Sequence, residues 1–223
     1  AAGCLIDRAR YFESIDRHEL ANEFYIAAIF LEPGNAEYVA SYAACAGREL
    51  PGSGIDDIRL SEHLYSIALA CAGWSSEYYY QRAVLRLRLA DTVSVPEGRE
   101  IMERYVHCAV DDMRQAVKYD PGGFNTSLRI GMLSLVLWDT LDHEDKLLFT
   151  GRLQAALRQR PWYAESHVYP LIMRYVNDVK VVFYVTPPTS EGYVTLRRFI
   201  EKNGLQHWYT EGGIEIEQAV NRG

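Results

Sequence analysis

The chain has 223 residues, enough for one large domain or two small ones, and an apolar fraction of 48% that can build a core. Its 23 basic against 30 acidic side chains give a net charge of −7, which counts against a general nucleic-acid binder. The longest run free of Asp, Glu, Lys and Arg is 14 residues, His63 to Ser76, short of the ~20 apolar residues of a membrane span.

The chain opens AAGCLIDRAR, with no initiator Met and no signal-peptide apolar core. Breakers then fall at intervals: LEPGN (31–35), ELPGSG (49–54), AGWSS (72–76), SVPEG (94–98), DPGG (120–123), RPW (160–162) and TPPTS (186–190). The segments between them suit helices better than strands, which average ~5–6 residues. The predicted helices are 3–14, 17–31, 35–46, 59–72, 76–90, 97–119, 124–138, 142–159, 163–176, 189–203 and 205–220.

Apolar spacing gives each helix a face. In the second helix Leu20, Phe24, Ala27 or Ala28 and Leu31 align. Further along, Tyr105, Ala109, Met113, Ala116 and Val117 form one stripe, and Leu147, Phe149, Leu153, Ala156 and Leu157 another. Asn35, Ser75, Asp142 and Thr189 each precede a first-turn acid, which predicts N-caps. Gly47 and Gly204 stand where a left-handed C-terminal residue would help. Segment 179–185 (VKVVFYV) favours a strand by propensity. With no partner strand in the chain, it is read as a short buried helix stopped by Pro187.

The four cysteines, Cys4, Cys45, Cys71 and Cys108, form no CxxC pair, so they are read as reduced structural residues with no disulfide and no zinc site. His143-Glu144-Asp145 resembles a metal cluster, but neighbours on a helix splay about 100° apart and cannot converge on one ion. His63, His107, His167 and His207 lack paired spacing. There is no GxSxG, Walker-type loop or GxGxxG. Asn125-Thr126-Ser127 is a formal glycosylation sequon at a helix start, where capping fits better. No catalytic residue, metal or cofactor is expected.

One pattern recurs: a small residue, a large one four on, a small one three on, then Pro five on. It reads Ala21–Tyr25–Ala28–Pro33 and Ala109–Met113–Ala116–Pro121, degrades to Phe149–Leu153–Ala156–Pro161, and appears as Ser61–Tyr65–Ala68 ending at Gly73. Small residues on one face let a neighbouring helix approach, and proline closes the unit. Together with Ala9, Phe12 and the Ile130-Gly131 pair, the pattern resembles the tetratricopeptide repeat, a helix–turn–helix unit of ~34 residues. Pro33 to Pro121 is 88 residues and Pro121 to Pro161 is 40, so the period is irregular, with insertions at 47–58 and 91–100.

The resemblance implies an all-α, right-handed superhelical stack of helical hairpins over residues 1–176. A divergent hairpin at 177–223 would cap it within the same domain. It also implies a soluble, non-catalytic scaffold whose concave face, lined by first helices, binds a protein or peptide partner. On helices 76–90 and 124–138 the candidate partner-binding residues are Tyr78, Tyr80, Gln81, Arg82, Asn125 and Arg129, with Arg82 and Arg129 offering forks for a carboxylate or phosphate. The Tyr78-Tyr79-Tyr80 run covers about 300° of helix, so one ring must face outward. Arg82, Arg86 and Arg174 fall near expected core sites, which strains the register. The alternative is a soluble accessory domain, cytoplasmic or extracytoplasmic, of a larger membrane-bound enzyme such as a glycan polymerase or ligase.

Overall fold

The computed structural model describes residues 1–48, 54–93 and 98–160. Among them the fold is all-α, with no strand. In order the helices are α1 (Ala2–Ser14), α2 (His18–Leu31), α3 (Ala36–Ala46), α4 (Ile55–Cys71), α5 (Ser76–Asp91), α6 (Arg99–Tyr119), α7 (Phe124–Val136) and α8 (His143–Gln159). A 3-10 turn, Trp138–Thr140, precedes α8. The expected helices at 163–176, 189–203 and 205–220, and segment 179–185, lie outside the described residues. The chain divides into two compact units, residues 1–119 and 120–223.

In the first unit each helix packs on the next, from α1 to α6. The side chains show why. Ile6 and Ala9 of α1 bury with Ala21, Tyr25 and Ala28 of α2, and Cys45 of α3 completes that cluster. Val39, Ala40 and Ala43 of α3 bury with Leu64, Tyr65 and Ala68 of α4, and Leu85 of α5 completes the second. These two hairpins therefore each finish their core with the first helix of the next, as expected of a repeat that cannot bury its apolar face alone. In the second unit α7 packs on α8. There a Cβ added to Gly131 would lie 2.5 Å from Leu153 Cβ, so only glycine admits this approach.

The repeat is regular at its joints. Ala28, Ala68, Ala116 and Ala156, the last small residue of each copy, are all essentially unexposed. Four residues on, Glu32, Ala72 and Arg160 hold one C-cap conformation, with φ of −137, −138 and −141°. In each the backbone N–H bonds the carbonyl of that alanine, at 3.0, 2.8 and 3.3 Å. Ala9, Ala43, Ala83 and Gly131, each eight residues after its helix's N-cap, are buried in the first helices. Four residues join α2 to α3, α4 to α5 and α6 to α7 alike. The irregular period thus arises within the hairpins: three residues join α1 to α2, eight join α3 to α4 and seven join α5 to α6.

Three predicted N-caps form. Asn35 accepts from the Glu37 N–H at 3.1 Å, Ser75 from Tyr78 at 3.4 Å and Asp142 from Asp145 at 2.8 Å. Other expectations are corrected. Helix α4 starts at Ile55 rather than 59, because the Asp57 carboxylate accepts the Gly54 N–H at 2.9 Å and caps an earlier turn. The last predicted turn of 124–138 is instead the 3-10 turn.

Gly47 has φ −83°, so it is not left-handed. Its need for glycine is steric: a Cβ there would lie 2.5 Å from Ser61 Oγ, which itself donates to the Ala43 carbonyl at 2.7 Å. The left-handed residue is Asp16, φ 57°. Its N–H bonds Glu13 O and that of Arg17 bonds Phe12 O, the paired closure of a Schellman motif. On α2 the buried face is Ala21, Tyr25 and Ala28, one residue on from the Leu20, Phe24 and Leu31 stripe, whose two leucines stay exposed.

Candidate functional site

The α5 residues singled out from the sequence sit beside an internal charge cluster built from three pairs at i, i+4 spacing, the spacing that puts two side chains on one helix face. Helix α4 supplies Glu62 and Ser66, α5 supplies Arg82 and Arg86, and α6 supplies Cys108 and Asp112. Asp112 is 2% exposed. Arg82 grips it with a two-pronged fork, Nε to Oδ2 at 2.9 Å and Nη2 to Oδ1 at 2.7 Å, while its Nη1 donates to Ser66 Oγ at 3.1 Å. Arg86 donates from Nη1 to Asp112 Oδ2 at 2.8 Å and to the Cys108 carbonyl at 3.1 Å, and from Nε to Glu62 Oε1 at 2.8 Å. Two guanidiniums thus balance two carboxylates.

Burial alone would lower the Arg82 pKa. Hydrogen bonding to Asp112 and the nearby carboxylates outweigh it, and the value is raised. The Asp112 carboxylate accepts three N–H groups, two from Arg82 and one from Arg86. Arg82 and Arg86 both occupy half-buried positions, where Asp112 and Glu62 meet them.

The tyrosine run divides its rings between neighbours. All three residues are half-buried. Tyr78 packs against Tyr65, centroids 6.1 Å apart. Tyr79 stacks on Tyr119 at 5.7 Å and 6°, donates its hydroxyl to Gly73 O at 3.2 Å, and lies under the Arg82 guanidinium. Gln81 donates to Glu77 Oε1 at 2.6 Å across one turn. In the second unit Asn125 and Arg129 are exposed on α7. Its N-cap is Gly123, and Thr126 Oγ1 donates to Asp120 Oδ2 at 2.7 Å. All three guanidinium nitrogens of Arg82 donate within the protein, to Asp112 and Ser66.

His143 and Glu144 are exposed while Asp145 is buried, so the three splay as helical geometry requires. Among the described residues no three His, Cys, Asp or Glu side chains are placed to hold a metal ion.

A second polar cluster, between α1, α2 and α3, was not foreseen. Tyr25 donates to Glu13 Oε2 at 2.7 Å, Arg48 pairs with Glu13 Oε1 at 2.5 Å, and Cys45 Sγ lies 4.0 Å from His18 Nδ1. Burial, then the Glu13 charge, pushes the Cys45 thiol up to about 11. At neutral pH it is a thiol and a poor nucleophile. The available signal was Tyr25 itself: at the large position of the repeat, its hydroxyl needs a buried partner.

No protein-family model matches the sequence, and no curated protein matches it.

Proposed function

We propose that the chain is a tetratricopeptide-like helical-repeat scaffold that binds a protein or peptide through the first helices of its hairpins. The observation that carries this reading is the recurrence, in four hairpins, of buried small residues at one register together with one four-residue turn. Arrays of that kind use their first helices to bind a partner. In the first unit α5 offers Tyr78, Tyr80 and Gln81, and in the second unit α7 offers Asn125 and Arg129. Arg82 acts behind the α5 residues as a positioning residue, holding α5 on α6 through Asp112.

The test is site-specific photo-crosslinking in cell extract. A crosslinker at position 81 in the first unit, or at 125 or 129 in the second, is expected to capture a partner, while one at Arg104, exposed on α6, is not. Capture from position 104 alone, or from none of the three first-helix positions, would reject the first-helix reading.

A further inference from the structure

We infer that the outward face of α2 is a docking strip for a basic amphipathic helix. Glu19, Glu23, Ile26 and Phe30 follow one another at four, three and four residues, so they lie in one line along the helix. The line is opposite the buried Ala21, Tyr25 and Ala28, and is about 16 Å long at 1.5 Å per residue. Phe30 is 85% exposed and Ile26 52%, with Leu31 also exposed beside them. A protein gains nothing by holding a phenylalanine so far into water, and apolar side chains clustered in this way mark interaction sites.

The charge around the strip selects the occupant. Between residues 16 and 32 stand Asp16, Glu19, Glu23 and Glu32 against one base, Arg17. All four carboxylates are exposed, and neither Glu19 nor Glu23 has an ion-pair partner among the described residues. An anionic lipid surface is repelled by such a rim. A second copy of the chain fits poorly. Paired in parallel it sets glutamates against glutamates, and antiparallel it buries them against Ile26 and Phe30. A helix with apolar side chains at i, i+3 and i+4 and Lys or Arg one to two turns away satisfies both halves, in the helix-on-helix mode of peptide recognition. The strip lies on a second helix, so this docking is independent of the first-helix surface proposed above.

The probe is a synthetic amphipathic helix of Leu and Lys about three turns long, with a Leu/Glu peptide of identical apolar face as its counterpart, measured by fluorescence anisotropy. The parent is expected to bind the Leu/Lys peptide and not the Leu/Glu one, more weakly as salt screens the pairs. Ile26→Ser with Phe30→Ser should lower affinity about tenfold or more. Glu19→Lys with Glu23→Lys should reverse the preference. Both pairs are solvent-facing, so circular dichroism should show unchanged folding. The inference is overturned if the parent binds neither peptide, if charge reversal leaves the preference where it was, or if the serine variant binds as well as the parent. Self-association abolished by Phe30→Ser, or equal binding to anionic vesicles, would assign the strip to those occupants instead.

Discussion

Replacing Asp112 with alanine tests the charge cluster most directly. The carboxylate accepts three N–H groups, and its removal leaves the forked end of Arg82 and one amino group of Arg86 without that acceptor. Breaking a buried ion pair from one side costs ~3–5 kcal/mol, because the surviving charge stays desolvated. Here the two arginine side chains keep 16% and 17% exposure, and each retains other acceptors, Ser66 for Arg82 and Glu62 with the Cys108 carbonyl for Arg86. The low end applies, about 3 kcal/mol, and a urea slope of ~1–3 kcal/mol per molar turns it into a midpoint lowered by roughly 1–3 M.

Urea titration followed by far-ultraviolet circular dichroism measures this. Asp112→Asn, which keeps the size and one acceptor, should fall between parent and alanine variant. Arg82→Ala should also destabilise, and the Arg82→Ala/Asp112→Ala pair should lose clearly less than the two singles combined, by ~0.5–3 kcal/mol of coupling. An Asp112→Ala variant within ~0.5 kcal/mol of the parent would refute the reasoning. Arg82→Ala is therefore no clean probe of partner binding, since any loss of affinity would arrive with a loss of stability.

Other outcomes follow from the repeat and the buried hydroxyls and thiol. Ala28→Leu and Ala116→Leu, both at fully buried helix contacts, should each cost ~1–3 kcal/mol by overpacking, read from the same urea titration. Gly131→Ala should cost a similar ~1–3 kcal/mol against Leu153, whereas Gly34→Ala, with nothing within 4 Å of the new Cβ, should leave the midpoint unchanged. Stability should decline in alkali. The unfolded Cys45 thiol ionises around 9.0 and the folded one only around 11, so its contribution is complete below the first value and lost as pH rises through the second. Burial raises Tyr25 and Tyr65 in the same direction. Urea midpoints should therefore fall between pH 9 and 11, with a shallower fall in Cys45→Ala.

Much of the helical layout was legible because its signals are local. Asn35, Ser75 and Asp142 cap within three residues of themselves, and a hydrogen bond of that reach is readable from composition. The start of α4 was missed because Pro51, Gly52 and Gly54 advertise a loop, while the cap comes from Asp57, a side chain reaching backward. On α2 two stripes one residue apart compete. Hydrophobicity favours Leu20, Phe24 and Leu31, yet close packing selects Ala21, Tyr25 and Ala28, because small residues admit the neighbouring helix. The charge cluster was illegible for a different reason. Arg82 meets its partner 30 residues away, and nothing near either residue states the pairing. Taken alone, Arg82 read as a surface fork for a partner, since arginine's chemistry is the same whether its carboxylate belongs to another protein or to the next helix.

The joints of the repeat distinguish two kinds of connection. Between hairpins the chain is metered, four residues each time from one buried alanine's helix to the next first helix. Within hairpins it is elastic, three to eight residues. Length can therefore accumulate by mutation at one kind of joint without disturbing how a hairpin meets its successor. A new peptide, tag or even a small domain belongs between α3 and α4 or between α5 and α6. The turns at Pro33 and Gly73, for all their glycine and proline, are where a graft would unseat one hairpin from the next.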